Sequence, residues 1–170
     1  MACPYQLLLL VLVLDCSAAA LGAQPRDADT VVMVRKDDPG MVAAIDSARR
    51  FLPELLALLT SPPRGLTYLA VKTPLTDGTQ VEHVWLHRVS LRHGRLVGRI
   101  ANDLETLRNW QSGDSVSIVP DSLSDWTAIV DGHTLGGFSV HFFRAHMAPA
   151  ERAQFDKETH NAFVGPTRVH

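Results

Sequence analysis

Glu82 and His83 are the first residues of this chain whose types invite chemistry. They are neighbours, so on a strand their side chains point to opposite faces. Alternation through Val84 and Leu86 places Glu82 on an apolar face, and His83, Trp85 and His87 on the other. A carboxylate among apolar neighbours must be paired, or its pKa rises. Lys72, on the preceding strand, is the expected partner. The pair reads as an acid/base carboxylate or, more simply, as a structural ion pair that locks two strands.

Asp125 and Trp126 form a second candidate, just before a strand. They read as a ligand platform, with the indole stacking and the carboxylate orienting a polar group. They read more simply as a buried tryptophan beside a carboxylate that caps a turn. Gly136-Gly137 before Phe138 has the flexibility for an anion nest or for an ordinary bend. Gly113-Asp114 and Asp131-Gly132 are turn pairs.

Other chemistries have little to stand on. His83 and His87 share a strand face but are too far apart to hold one metal without a bend. His133, His141 and His146 would have to approach from elsewhere, and no short ligand motif joins them. No metal or cofactor is expected. There is no Gly-x-Ser-x-Gly elbow, phosphate loop or dinucleotide fingerprint. Both cysteines, Cys3 and Cys16, fall near the N-terminus. A formal net charge of −2 gives no footprint for nucleic acid and no polybasic membrane anchor. Arg88, Arg92, Arg95 and Arg99 read as outward residues of a hairpin, a solvated face.

The elements that must position these residues are mostly strands. Asp38 is a plausible N-cap with Pro39 at the first helical position. Apolar residues then recur at Ile45, Ala48, Leu52, Leu55, Leu56 and Leu59, which is helical spacing. Pro53 should kink or split that helix. Strand signals cover 30–34, 66–72, 81–91, 95–101, 115–119, 126–130 and 138–143, with turns at Asp77-Gly78, His93-Gly94 and Asp131-Gly132. Leu96, Gly98 and Ile100 alternate inward, as do Phe138, Val140 and Phe142. The expected fold is α+β: an antiparallel, curled or partly closed sheet of about five to six strands with one main N-terminal helix packed on it. Residues 148–156 read as a short surface helix and the rest to His170 as a loose tail.

Residues 7–14 form an unbroken apolar run, LLLLVLVL, followed by small residues through Ala23. That is an export signal pattern, with cleavage expected near Ala23. The run is too short to span a bilayer, and Asp15 would sit badly in hydrocarbon. Asp15 also stands where a lipoprotein box needs a small residue before Cys16. The expected plan is a signal peptide over 1–23, a linker over 24–29, one domain over 30–147 and a terminal segment over 148–170. Without its leader the chain has no cysteine and no stable membrane anchor.

The stretch from Val71 to Phe142 resembles the YegJ-like bacterial domain of unknown function. The resemblance rests on Lys72, Glu82-His83-Val84-Trp85-Leu86, Leu96-Val97-Gly98 and Asn102. Gly113-Asp114-Ser115-Val116, Ser124-Asp125-Trp126, Asp131-Gly132 and Gly136-Gly137-Phe138 complete it. It implies a helix-plus-sheet fold and export, and no established reaction. The expected function is a periplasmic or secreted, non-enzymatic binding module that meets a protein or small ligand of the cell envelope. Trp85, Trp110 or Trp126 would anchor it. The alternative is a hydrolase-like or metal-dependent enzyme using Glu82, His83 and Asp125, which requires those side chains to converge.

Overall fold

The computed structural model describes residues 38–165. The expected export signal, linker, 30–34 strand and last five residues lie outside them. Asp38 caps the first helix, α1 (Pro39–Arg50): its Oδ1 accepts from the Gly40 and Met41 amides at 2.8 and 3.2 Å. Pro39 sits at the start, where its missing N–H costs nothing. Phe51 interrupts the helical spacing, and α2 (Leu52–Thr60) begins with Pro53 in its first turn. The proline thus splits the helix in two, because it cannot donate back to the preceding turn.

Six strands follow in an open antiparallel sheet ordered β4-β3-β2-β1-β5-β6. They are β1 (Leu66–Thr76), β2 (Val81–Arg92), β3 (Arg95–Ile100), β4 (Ser115–Ile118), β5 (Asp125–Val130) and β6 (His133–Gly136). The sheet does not close, so β4 and β6 are its edges. His93-Gly94 and Asp131-Gly132 both place two consecutive residues at positive φ. That is the two-residue hairpin turn whose twist matches the strands it joins. Register shifts between His87 and Ser90, where Arg88 takes a φ of 50°.

The core lies between α1–α2 and one sheet face. Ala48 and Leu55 meet Val71, Val84, Leu86, Leu96, Ile100, Trp126 and Ala128 there. Inward alternation at Leu96, Gly98 and Ile100 holds. Gly98 has a packing reason: a Cβ there would lie 3.0 Å from the Leu86 Cβ and 3.1 Å from the His87 carbonyl oxygen.

Two expectations fail near the C-terminus. Residues 138–143 are helical, within α3 (Phe138–His146), so Phe138, Val140 and Phe142 do not alternate across a sheet. The remaining segment is not loose throughout. After α4 (Pro149–Glu158), Phe163 is buried against the rings of His141 and Phe155 at 5.6 and 5.9 Å. It fills space left open by Gly137, where a Cβ would stand 2.7 Å from its ring. The described residues hold four α-helices: the split N-terminal pair, α3, and α4, which matches the short helix expected over 148–156.

Candidate functional site

Glu82 is bound to the β3–β4 loop. Its carboxylate accepts from the Glu105, Thr106 and Leu107 amides at 3.0, 3.0 and 3.3 Å, and from the Thr106 hydroxyl at 3.0 Å. Burial pushes its pKa up, but these donors outweigh it and hold the group below the usual glutamate range. Nearby, Asp77 accepts from the Arg108 amide at 3.3 Å. Together the two acids fasten the β3–β4 loop. Lys72 is not the partner of Glu82. The residue opposite Glu82 is Leu75, and Lys72 stands three places along, opposite Trp85. An odd offset puts the two side chains on opposite faces.

Lys72 instead joins a cluster on the outer face, away from α1 and α2. It is register partner to Trp85 on β2 and to Asp125 on β5. Its ammonium lies 5.5 Å from the Trp85 ring centroid and 5.6 Å from that of Phe143 on α3. Two rings around one cation are a favourable electrostatic arrangement. Burial lowers the Lys72 pKa, and the Asp125 charge opposes that shift. Trp85 is half-buried, and its amide donates to the Asn102 Oδ1 at 2.8 Å.

Asp125 is fully buried. Its Oδ1 accepts from the Trp126 and Phe138 amides at 2.8 and 3.1 Å. Its Oδ2 accepts from the Ser139 amide and hydroxyl at 2.8 and 2.6 Å. Gly136 and Gly137, both at positive φ, turn the chain so that the first amides of α3 face this carboxylate. The nest these glycines form is therefore filled from within. Burial raises the Asp125 pKa, against the pull of the Ser139 and Trp126 donors and of Lys72. Asp125 thus acts as a cap of α3 brought from β5.

Trp126 lies in the core on the opposite face, with its indole Nε1 donating to the Ala48 carbonyl at 3.1 Å. Full burial removes it as a surface anchor. Trp110 is partly buried against the same core. Gly113, at a φ of 90°, donates to the Ile100 carbonyl at 2.9 Å, and Asp114 accepts from the Gln111 amide at 3.0 Å. His83 Nδ1 lies 2.8 Å from the Ser124 hydroxyl. That serine is buried, so the pair presents no nucleophile to solvent. Glu82, His83 and Asp125 do not converge: the first binds a loop, the second Ser124 and the third α3. No group of three or more His, Cys, Asp or Glu side chains is placed to hold a metal among the described residues.

The outer face continues across β2, β3 and β4. Register places His87 opposite Arg99, and Arg92 opposite Arg95. Ser115 and Ser117 on β4 stand beside Arg99 and Val97. Arg92, Arg95, Arg99, Ser115 and Ser117 are all exposed. Burial, then the charges of Arg88 and Arg99, lower the His87 pKa. Single-sequence patterning missed Phe143 and Ser139 because both sit on the helix it read as a strand.

Residues 38–163 match the family described as uncharacterized protein conserved in bacteria (DUF2314). The chain is similar to the uncharacterized protein YegJ of Escherichia coli (strain K12). That relative is 30% identical over 112 residues, covering 66% of this chain and 72% of YegJ. It is also similar to a putative ankyrin repeat protein of Neisseria meningitidis serogroup B, 30% identical over 109 residues. That match covers 62% of this chain and 43% of the relative, so the chain spans less than half of that protein. No solved structure matches.

Proposed function

The chain belongs to the DUF2314 family of uncharacterized bacterial proteins, and from that premise we propose that it is a non-enzymatic binding module. One observation carries the reading. The polar groups fit for catalysis, Glu82 and Asp125, are saturated by the fold's own backbone, while the sheet face beside them holds exposed side chains. Trp85 on that face is the anchor. It is half-buried, its backbone amide is held by Asn102, and the Lys72 ammonium stands over its ring. Aromatic anchors held in place at low entropic cost dominate binding surfaces.

The module works in the periplasm or outside the cell. The support is the apolar run over 7–14 and the small residues after it. Among the described residues no helix is long and apolar enough to cross a membrane.

The test is site-directed photo-crosslinking in cells making the full chain. A crosslinker at Val97, on the outer face, should give a discrete adduct that Trp85→Ala abolishes. One at Val42, exposed on α1, should give none. Equal adducts from both positions, or a Val97 adduct indifferent to Trp85→Ala, would refute the reading. Fractionation with N-terminal sequencing tests the compartment: a cytoplasmic chain retaining residues 1–23 would overturn it.

A further inference from the structure

We infer that the outer face of β2, β3 and β4 is a docking surface for an acidic segment of a partner protein. This rests on the binding-module reading above and adds the chemistry of the partner.

The charges are segregated. Formal net charge is −2, yet the outer positions of β2 to β4 hold Arg92, Arg95, Arg99 and two histidines and no carboxylate. On β1 the Lys72 charge is matched by Asp125 on β5, so the uncompensated row is that of β2 and β3. Like charges directly opposite across a sheet destabilise it, and Arg92 with Arg95 is such a pair. The sheet keeps them without any acidic side chain between. Arg144 and Asp156, on α3 and α4, form an arginine–carboxylate bridge away from this face.

The three guanidiniums are also held in place. Arg92 Nε donates to the Ser90 hydroxyl at 3.2 Å. Arg95 donates to the Ser117 hydroxyl and carbonyl, both at 2.8 Å. Arg99 donates to the Gly113 carbonyl at 2.8 Å. Each uses one or two of the five donors a guanidinium carries. What is left is a set of oriented forks with spare N–H groups, the geometry that recognises carboxylates. Arg95 and Arg99, four apart on one strand, are separated by about 13 Å, and cross-strand partners by about 5 Å. A ligand that engages both rows is an extended chain with several carboxylates rather than a small molecule.

Protein is favoured over the other polyanions. The arginine rows carry no aromatic ladder for bases, since Trp85 stands at one end. They carry one apolar residue, Val97, which is too little to enter a bilayer.

The experiment uses the full chain with a fluorescent 20-residue poly-L-glutamate as probe, read by anisotropy. Binding should appear at low salt and weaken as salt rises. The triple variant Arg92→Gln/Arg95→Gln/Arg99→Gln should bind about tenfold or more weakly, a loss of about 1.4 kcal/mol. Its urea midpoint should be at or above wild type, because it relieves like-charge contacts. Absence of binding at every salt concentration, or an unchanged affinity in the triple variant, overturns the proposal. So does tighter binding to duplex DNA or to anionic phospholipid vesicles than to poly-glutamate. If Val97 gives its Trp85-dependent adduct while poly-glutamate fails, only the acidic partner is lost. If Val97 gives no adduct yet poly-glutamate binds through the arginines, the Trp85-anchored reading is the one that fails.

Discussion

Replacing Asp125 separates a structural carboxylate from a functional one. Its two oxygens take four donors, three backbone amides and the Ser139 hydroxyl. Asp125→Ala leaves these donors in a buried site with no acceptor. Losing a helix cap costs about 1 kcal/mol, and each buried donor left unmade costs about 1–3 kcal/mol. Relief from burying a charge offsets part of this. Removing one member of a buried charge pair costs about 3–5 kcal/mol in all, and we expect that value. Asp125→Asn keeps one oxygen and turns an amide donor toward the others, so it should lie between wild type and alanine. The assay is equilibrium urea unfolding followed by tryptophan fluorescence. With a slope of about 2 kcal/mol/M, alanine should lower the midpoint by roughly 1.5–2.5 M. Lys72→Met should be better tolerated in the Asp125→Asn background than in wild type, with a coupling of about 0.5–2 kcal/mol. An alanine shift below about 0.5 M with the slope unchanged would refute the capping role.

Further outcomes follow from the same geometry. Glu82 has its folded pKa held below the ordinary 4.5, so its stabilising contribution is full above that value and is lost as pH falls through the folded pKa. Urea midpoints measured from neutral pH downward should therefore drop below pH 4.5 in wild type and more gently in Glu82→Gln; parallel acid limbs would contradict this. Gly136→Ala puts a Cβ 2.4 Å from the Trp126 carbonyl oxygen at a φ of +70°. It should cost about 2 kcal/mol or more, seen as a drop in Tm, and a Tm equal to wild type would rule out the strain. Trp126→Ala should cost about 3–5 kcal/mol, whereas Trp85→Phe should cost about 1 kcal/mol or less. Comparable urea midpoints for those two variants would show that the core and outer-face assignments are wrong.

Local chemistry made much of the fold legible. Pro53 marked the helix break, and His93-Gly94 and Asp131-Gly132 marked the hairpins, because proline and positive-φ turns act on their own backbone. Alternation at Leu96, Gly98 and Ile100 worked because one sheet face is buried. The stretch from Phe138 to Phe143 failed for a long-range reason. Its apolar residues fit a period of two, but Asp125, on another strand, supplies the acceptors that start a helix there. Lys72 failed for a related reason. Alternation assigns faces within one strand, and only the pairing register shows that Lys72 meets Trp85 while Leu75 meets Glu82. The capping role of Asp125 and the architectural role of Trp126 were readable as alternatives. Choosing between them needed the partners.

The strand order also sets a timetable for synthesis. β1 to β4 pair in the order in which they are made, each with the strand just before it. The second neighbour of β1 is β5, which begins at Asp125. Until that strand emerges, β1 is a raw edge beside a finished meander, its backbone groups from Leu66 to Lys72 awaiting β5. Unpaired edges of this kind invite pairing with other chains. The carboxylate that starts α3 arrives on the same late strand, so edge protection and the C-terminal helices are completed together. A chain stalled or cut after Ile118 would hold four paired strands and still be sticky, which makes the last third of the sequence the chain's safeguard against its own kind.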